Sequence, residues 1–195
     1  MNPNAATLRL AVWPRTSVVT DVLLVVAGAA LVALAAQITI ERWPVPITGQ
    51  TFAVLLVGAS LGAVRGLASL ALYVSVGLLG VPVYQGHHHG LDYFLGATGG
   101  YLIGFAAAAA LVGYLAERRW DRRLSSAVAA MLTGNVVIYA IGLPWLAAEL
   151  DTGFKETLEA GLYPFVIGDV LKLYLAGALL PSAWSVVARA TGRRP

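Results

Sequence analysis

The stretch VVTDVLLVVAGAALVALAAQIT, residues 18–39, decides the class of this protein. A helix needs about 20 consecutive apolar residues to cross the hydrocarbon core of a bilayer, and this stretch has that length and a single charged residue, Asp21. The rest of the chain has the same character: of 195 residues, 58% are hydrophobic and 12% are charged, and the mean hydropathy is +0.76. Soluble domains carry about 25% charged residues. The sequence therefore predicts an integral membrane protein.

Further apolar segments follow the first, and the sequence predicts an all-α membrane protein with six transmembrane helices in a single domain, residues 1–195. The predicted spans are approximately residues 18–39, 50–63, 66–80, 95–116, 125–147 and 161–188. One long tilted helix is the alternative for the short second and third spans. We favour a tight hairpin at GAVRG, residues 62–66, because Arg65 at the centre of a bilayer would be unfavourable.

The distribution of basic residues predicts the orientation of the helices. Cytoplasmic loops of membrane proteins are enriched in Lys and Arg. With the N-terminus in the cytoplasm, the outer loops contain only Arg42 and Lys155, and the inner segments contain ten arginines. These ten are Arg9, Arg15, Arg65, Arg118, Arg119, Arg122, Arg123, Arg189, Arg193 and Arg194. Both termini are therefore predicted to be cytoplasmic, and the placement of the charges in short loops argues against nucleic-acid binding.

Two charged residues interrupt the last predicted span, in PFVIGDVLK at residues 164–172. Asp169 and Lys172 are three residues apart and so lie on one face of a helix. Ionisable side chains at membrane depth are functional candidates, and three roles are open for this pair: a structural ion pair, a proton relay or a ligand site. Buried ion pairs often fail to recover their desolvation energy, and a relay has few other titratable groups to use. We therefore favour a ligand site, where Lys172 neutralises a carboxylate or Asp169 accepts N–H donors.

Further polar candidates lie close to the outer ends of the predicted helices. The loop ERWPVPITGQT, residues 41–51, presents Thr48 and Gln50 at the mouth of the second helix, either to a ligand or to water. The stretch GATGGY adds Thr98 and Tyr101, and its glycines permit close approach of the backbone to a ligand. We predict that these four side chains contribute to a binding site.

The fifth predicted span contains Asn135 and Tyr139, which are four residues apart and share a helix face. They predict a polar stripe toward the interior of the helix bundle, where Asn135 bonds either to a neighbouring helix or to a ligand. Several aromatic residues are candidates for the walls of a binding site. These are Tyr73, Tyr84, Tyr101, Tyr139 and Trp145.

Three consecutive histidines, His87, His88 and His89, suggest a metal site. Adjacent residues cannot all face one ion on regular structure, however, and Asp92 is the only carboxylate close to them in the sequence. We interpret the segment as a solvated loop and predict neither a metal nor a cofactor. The chain contains no cysteine, which excludes disulfides and thiolate ligands.

Small residues at spacing four predict close helix packing. Two rows of glycines have this spacing, and we assign both to helix packing within the chain: Gly58, Gly62 and Gly66, and Gly96, Gly100 and Gly104. In the first span, the strip that includes Ala29 and Ala33 has two open roles. It either packs within the chain or docks onto a partner subunit.

Five stretches of the sequence together resemble the BioY family, the biotin-specific substrate-binding subunits, or S components, of energy-coupling-factor (ECF) transporters. In chain order they are VPITGQTFAVLLVGASLG (45–62), GVPVY (80–84), GATGGYLIGF (96–105), IYAIGLPWL (138–146) and PFVIGDVLK (164–172). The order and spacing of these motifs extend over nearly the whole chain. Two features depart from the family pattern: Ala97 replaces a proline before Thr98, and the histidine insert at 87–89 is not a family signature.

The resemblance implies six helices, cytoplasmic termini and a biotin site on the outer side of the membrane. It implies docking of the first helix onto a transmembrane coupling subunit, the T component, which works with two ATPase subunits. Carried onto this chain, the family's site residues correspond to Thr48–Gln50, Thr98–Tyr101, Asp169 and Lys172. Either end of biotin is compatible with Lys172, and Asp169 either contacts the ligand or orients Lys172.

These observations predict a biotin-binding subunit of a vitamin transporter in the prokaryotic plasma membrane, and not an enzyme. The alternative is a stand-alone, proton-coupled transporter of a small vitamin that carries a carboxylate. An intramembrane enzyme is not favoured, because it needs a nucleophile with a base at membrane depth and the histidines lie in a loop. ATP hydrolysis would belong to the partner subunits, since the chain contains no nucleotide-binding motif.

Overall fold

The computed structural model describes residues 6–12 and 17–190, and over these residues it consists of helices with one short pair of strands. The elements in chain order are α1 (Leu8–Val12), α2 (Val18–Ala36), β1 (Thr39–Ile40), β2 (Ile47–Thr48), α3 (Gln50–Leu61), α4 (Ala63–Leu78), α5 (Gly90–Leu95), α6 (Gly99–Glu117), α7 (Leu124–Leu150), α8 (Phe154–Gly161) and α9 (Val166–Ala190). The strands pair antiparallel, with Thr39 opposite Thr48. Arg15, Arg193 and Arg194, which contribute to the predicted charge bias, lie outside the described residues.

Four of the described helices, α2, α6, α7 and α9, are long and apolar enough to cross a membrane, and α3 and α4 are shorter apolar helices. Large apolar side chains cover the outside of the bundle: Ile167 is 86% exposed, Val64 78% and Leu34 69%. Soluble monomers rarely expose contiguous apolar surface on this scale. The exposed surface is therefore suited to lipid, in agreement with the predicted all-α membrane class.

The chain breaks between α3 and α4 at Gly62, whose φ of 88° lies in the left-handed region that favours glycine. The two helices then pack closely, because a Cβ added to Gly66 would lie 3.0 Å from Cα of Gly58. The predicted hairpin is confirmed and the single long helix is wrong. Arg65 lies in the first turn of α4 rather than in the turn itself, and its guanidinium donates two 2.8 Å bonds to the carboxylate of Asp21 in α2.

Glycines also set the distances between α6 and its neighbours. A Cβ on Gly58 would overlap the backbone of Ala109 in α6, at 2.9 Å from its Cα. On the other side of α6, a Cβ on Gly104 would lie 3.0 Å from Cα of Ile138 in α7. The predicted packing of these glycines within the chain is confirmed, and α6 lies in the middle of the bundle with α3 and α4 on one side and α7 on the other.

Several helix boundaries differ from the predicted spans: α4 begins at Ala63 instead of 66, α7 ends at Leu150 instead of 147, and three further differences have a local cause. The first span, predicted to reach residue 39, ends at Ala36 because the chain turns there into β1. The fourth begins at Gly99 instead of 95, after a turn at 96–98. The sixth begins at Val166 instead of 161, because α8 ends at Gly161 and Pro164 lacks a backbone N–H and restricts the residue before it.

Candidate functional site

A cavity opens among α3, α4, α6, α7 and α9, at the helix ends that carry the 41–49 and 79–98 segments. It contains about 550 Å³ of atom-free space, part of which is continuous with solvent. Ligand pockets combine mostly apolar walls with a few convergent polar groups. The structure brings seven of the eight predicted binding residues into the wall of this cavity: Thr48, Gln50, Thr98, Tyr101, Tyr139, Asp169 and Lys172.

The eighth residue, Asn135, lies behind the wall and bonds to the carboxylate of Asp169. Its Nδ2 atom donates to Oδ2 of Asp169 at 3.1 Å, and the hydroxyl of Tyr139 donates to the same oxygen. Lys172 Nζ lies 3.3 Å from the other oxygen, Oδ1. Asp169 is only 4% exposed. Three groups of the chain therefore already bind this buried carboxylate, and one of them is the ammonium of Lys172.

Lys172 has capacity left for a ligand. Its ammonium carries three N–H donors, and two acceptors of the chain lie within reach, Oδ1 of Asp169 and Oγ1 of Thr51 at 3.1 Å. The side chain is 19% exposed, against 6% for Asp169. One N–H donor and the positive charge are thus available at the cavity wall.

Thr48, Gln50 and Tyr73 form a hydrogen-bonded chain in another part of the wall. The hydroxyl of Thr48 donates to Oε1 of Gln50 at 3.0 Å, and Nε2 of Gln50 donates to the hydroxyl of Tyr73 at 2.8 Å. The backbone N–H of Gln50 donates in turn to Oγ1 of Thr48 at 3.2 Å. The predicted pair Thr48 and Gln50 is therefore part of the cavity, but both ends of the Gln50 amide already have partners.

The turn before α6 places Thr98 and Tyr101 in the wall. The hydroxyl of Tyr101 donates to the carbonyl of Gly161 at 2.9 Å, and this bond joins α6 to the end of α8. The Tyr101 ring meets the ring of Tyr139 edge to face, with 6.2 Å between centroids. Tyr101 thus contributes its ring to the cavity while its hydroxyl holds two helices together.

A series of aromatic rings forms one side of the cavity. Tyr73 and Tyr84 meet edge to face at 5.6 Å, and Tyr84 stacks on Tyr93 at 5.3 Å. In the segment between α4 and α6, burial raises the pKa of Tyr84 to about 12 and also raises the pKa of Tyr93, so both phenols remain protonated donors at neutral pH. Trp145, also a candidate for the wall, does not line the cavity; its indole N–H donates to the carbonyl of Gly96 at 3.0 Å.

Five polar or aromatic residues of the wall were not among the predicted site residues: Thr51, Gln85, Tyr93, Phe105 and Phe165. Thr51 directly follows the predicted residue Gln50 and lies in the first turn of α3. This position next to Gln50 is the sequence feature from which its place in the wall could have been predicted. Gln85 and Tyr93 flank the three histidines, in a segment that was interpreted as a solvated loop. Tyr93 carries the ring of His88 stacked on it at 4.8 Å, and Nδ1 of His88 lies 2.7 Å from the carbonyl oxygen of Gln85.

The candidate docking residues of α2 differ in burial. Ala29 is 8% exposed and packs in the core of the chain, whereas Ala33 is half-buried. Both alanines and the exposed Ala30 line a surface groove between α2 and α4. Packing within the chain accounts for the burial of Ala29, and docking through this surface stays a prediction.

Comparison of the sequence with known proteins gives a consistent result. The family model described as the BioY family matches residues 5–189. The chain is 40% identical over 152 residues to the "Probable biotin transporter BioY" of Pyrococcus horikoshii, an alignment that covers 78% of this chain and 88% of that protein. It is 37% identical over 143 residues to the "Biotin transporter BioY" of Rhizobium etli, with 70% and 76% covered.

The fold is similar to that of a crystal structure described as the S-component for biotin from an ECF-type ABC transporter. The TM-score is 0.74, and the match covers 92% of this chain and 96% of that chain at 23% sequence identity. At this identity the likeness is evidence for the fold. The predicted all-α membrane class is confirmed, with four long apolar helices and two shorter ones among the described residues.

Proposed function

The chain belongs to the BioY family, and from this membership we propose that it is the biotin-binding subunit of an ECF-type transporter. It captures biotin under its outer loops and carries out no covalent chemistry. The observation that carries the proposal is the cavity itself: its walls are mostly apolar and aromatic, and it contains the ammonium of Lys172 beside the carboxylate of Asp169.

The chemistry of biotin supports this assignment. The molecule has a carboxylate, an apolar sulfur-containing ring and a ureido group with two N–H donors and one carbonyl. The carboxylate is attracted to Lys172, whose third N–H is available, and the ring system fits between tyrosine rings. Each polar group of a buried ligand that stays unpaired is unfavourable by about 1–3 kcal/mol, so a few polar residues can select biotin over other vitamins.

The proposed arrangement in the membrane is a single domain with six spans and both termini in the cytoplasm. The arginine bias and the two short apolar helices α3 and α4 support it. The chain has no cysteine of its own, so labelling of a single introduced cysteine shows on which side of the membrane that position lies. We expect a membrane-impermeant maleimide to label the variant Asp92→Cys in intact cells, and to label Ser125→Cys only after permeabilisation. The opposite pattern would reverse the orientation.

The proposed partners are the T component and two ATPase subunits, with the α2 groove that contains Ala33 as the docking surface. We expect a biotin-auxotrophic host without its own transporter to accumulate biotin when the chain is expressed with these partners. The variant Ala33→Trp should lose this uptake and keep biotin binding, because the indole fills the groove but not the cavity.

The same uptake experiment separates this function from a proton-coupled transporter. Equal uptake by the chain alone, abolished when the proton gradient is dissipated, would support the stand-alone alternative instead. Unchanged uptake by Ala33→Trp with the partners present would contradict docking through this groove.

A further inference from the structure

The turn between α6 and α7 has the sequence RRWDRR, residues 118–123, and lies at the opposite end of the bundle from the cavity. Arg118, Arg119 and Arg123 are exposed. Within residues 6–12 and 17–190, the ion pairs include none of these three arginines. Their positive charges therefore remain available to an anion from outside the chain.

The two middle residues of this turn hold it in one conformation. Asp121 is only 1% exposed, and its Oδ2 atom accepts a hydrogen bond from the indole N–H of Trp184 in α9. The guanidinium of Arg122 lies 3.9 Å over the ring of the same tryptophan. Positive charge that serves only to orient a membrane protein needs no fixed structure. Here the anchored turn presents Arg118, Arg119 and Arg123 from defined positions.

The length of α6 places the turn at the level of the lipid headgroups. Its 19 residues, Gly99–Glu117, extend over about 28 Å, close to the hydrocarbon thickness of about 30 Å. Near the end of α6, Tyr114 is 45% exposed, and the guanidinium of Arg118 lies 3.4 Å from the centre of its ring. Trp120 in the turn is 40% exposed. Tyrosine and tryptophan are enriched at this level of membrane proteins.

The surroundings of the arginines favour a lipid over a soluble acidic partner. Tyr114 precedes the turn on α6, and Leu124, which is 52% exposed, follows it at the start of α7. The charged turn is thus flanked by apolar surface of two membrane-spanning helices. An arginine guanidinium binds a phosphate through parallel N–H donors. A phospholipid presents a phosphate and acyl chains together, so it can contact the arginines and the flanking side chains at the same time.

We propose that Arg118, Arg119 and Arg123 form a binding site for the phosphate of an anionic phospholipid in the inner leaflet, with Tyr114 and Leu124 in contact with its acyl chains. The inference rests on the proposed arrangement in the membrane, which places this turn on the cytoplasmic side. It does not depend on the ligand of the cavity.

Native mass spectrometry of the purified full-length chain, titrated with phosphatidylglycerol or phosphatidylcholine, tests the site. The triple variant Arg118→Gln, Arg119→Gln, Arg123→Gln should bind phosphatidylglycerol about 100-fold more weakly, because each basic residue at an anionic lipid surface contributes about 5-fold. Binding of phosphatidylcholine, which has no net charge, should change little. Equal affinity of the wild type and the variant for phosphatidylglycerol would overturn the proposal.

The matched control removes three positive charges from exposed positions elsewhere, as Arg42→Gln, Lys155→Gln, Arg189→Gln. It should keep most of the affinity for phosphatidylglycerol, and an equal loss in the control would assign the effect to net charge and overturn the site. None of the six positions lines the cavity, so both triple variants should bind biotin like the wild type. A wild-type chain that binds no biotin would remove the proposed function and leave the lipid test intact, with circular dichroism to verify folding.

Two further measurements distinguish other occupants of the turn. Glycerol 3-phosphate carries the phosphate without acyl chains and should bind at least about 10-fold more weakly than phosphatidylglycerol, since each buried methylene adds to lipid affinity. Equal affinity would indicate a site for small phosphates and contradict a lipid site. Loss of the T component from the purified triple variant, with lipid binding unchanged, would assign the turn to a protein contact instead.

The fixed conformation of the turn has its own readout in Trp184→Phe. This variant keeps an aromatic ring beneath Arg122 but removes the N–H donor to Asp121, and it leaves the charge of the chain unchanged. Phosphatidylglycerol binding should weaken by about 3-fold, because the loosened arginines must be ordered when the lipid binds. Unchanged affinity in Trp184→Phe would overturn a structured site in favour of diffuse charge attraction.

Discussion

Lys172→Ala is expected to weaken biotin binding by about 30-fold or more, the lower end of the effect of truncating one partner of a buried charge pair. The variant removes the ammonium that we propose as the partner of the ligand carboxylate. It also leaves the carboxylate of Asp169 buried without its counter-ion. Titration calorimetry of the purified protein with biotin measures the change.

Two comparisons make this prediction specific. Biotin amide lacks the carboxylate charge, so Lys172→Ala should weaken its binding much less than it weakens biotin binding. Lys155→Ala is the matched control, because Lys155 is also paired with an acid, Glu159 at 3.8 Å, but lies 80% exposed on α8 outside the cavity. Equal losses for biotin and its amide would exclude a direct contact between Lys172 and the carboxylate.

Asp169→Asn is expected to lower the free energy of unfolding by about 2–5 kcal/mol, since it leaves Lys172 partly buried without a counter-ion. It also weakens the acceptor that Asn135 and Tyr139 share. The measurement is denaturation of the detergent-solubilised protein without ligand, followed by tryptophan fluorescence.

The double variant Asp169→Asn, Lys172→Met separates the structural role of the pair from its role in binding. Removing both charges is often neutral for stability, so the double variant should recover most of the stability lost by Asp169→Asn. Biotin binding should stay as weak as in Lys172→Ala. Additive losses of stability would contradict a coupled pair, and recovered binding would contradict the ligand contact at Lys172.

Much of the cavity could be predicted because polar residues are rare in this chain. Asp169, Lys172, Asn135 and Tyr139 interrupt apolar segments, and a helix places residues three or four apart on one face. The structure brings these four together around one carboxylate. The prediction of these four residues therefore rested on helical periodicity and on the rarity of polar and charged side chains at membrane depth.

The rim of the cavity could not be predicted in the same way. Gln85 begins a short 3-10 turn between α4 and α5, and its partner Glu41 is 44 residues away in the sequence. Loop conformations depend on such distant contacts, and neither residue belongs to a periodic pattern. The helix boundary near residue 161 was wrong for a related reason: α8 is a short separate helix with a turn after it, and the apolar residues on both sides hide the break.

The break between α3 and α4 was predictable, because two glycines enclose Arg65 in an otherwise apolar segment. The partners of small residues were harder to predict. Ala29 and Gly58 lie in similar small-residue patterns, and only the fold determines which surface covers each of them. Gly58 packs on α6, and Ala29 lies in the core next to a groove that remains open to a partner.

The central claim is that this chain by itself binds biotin. The most direct measurement is equilibrium binding of biotin to the purified full-length chain in detergent, with thiamine and riboflavin as controls. We predict a dissociation constant below about 1 μM for biotin, equivalent to about −8 kcal/mol or better, and no measurable binding of the other two vitamins. Biotin binding no tighter than that of thiamine or riboflavin would contradict the account.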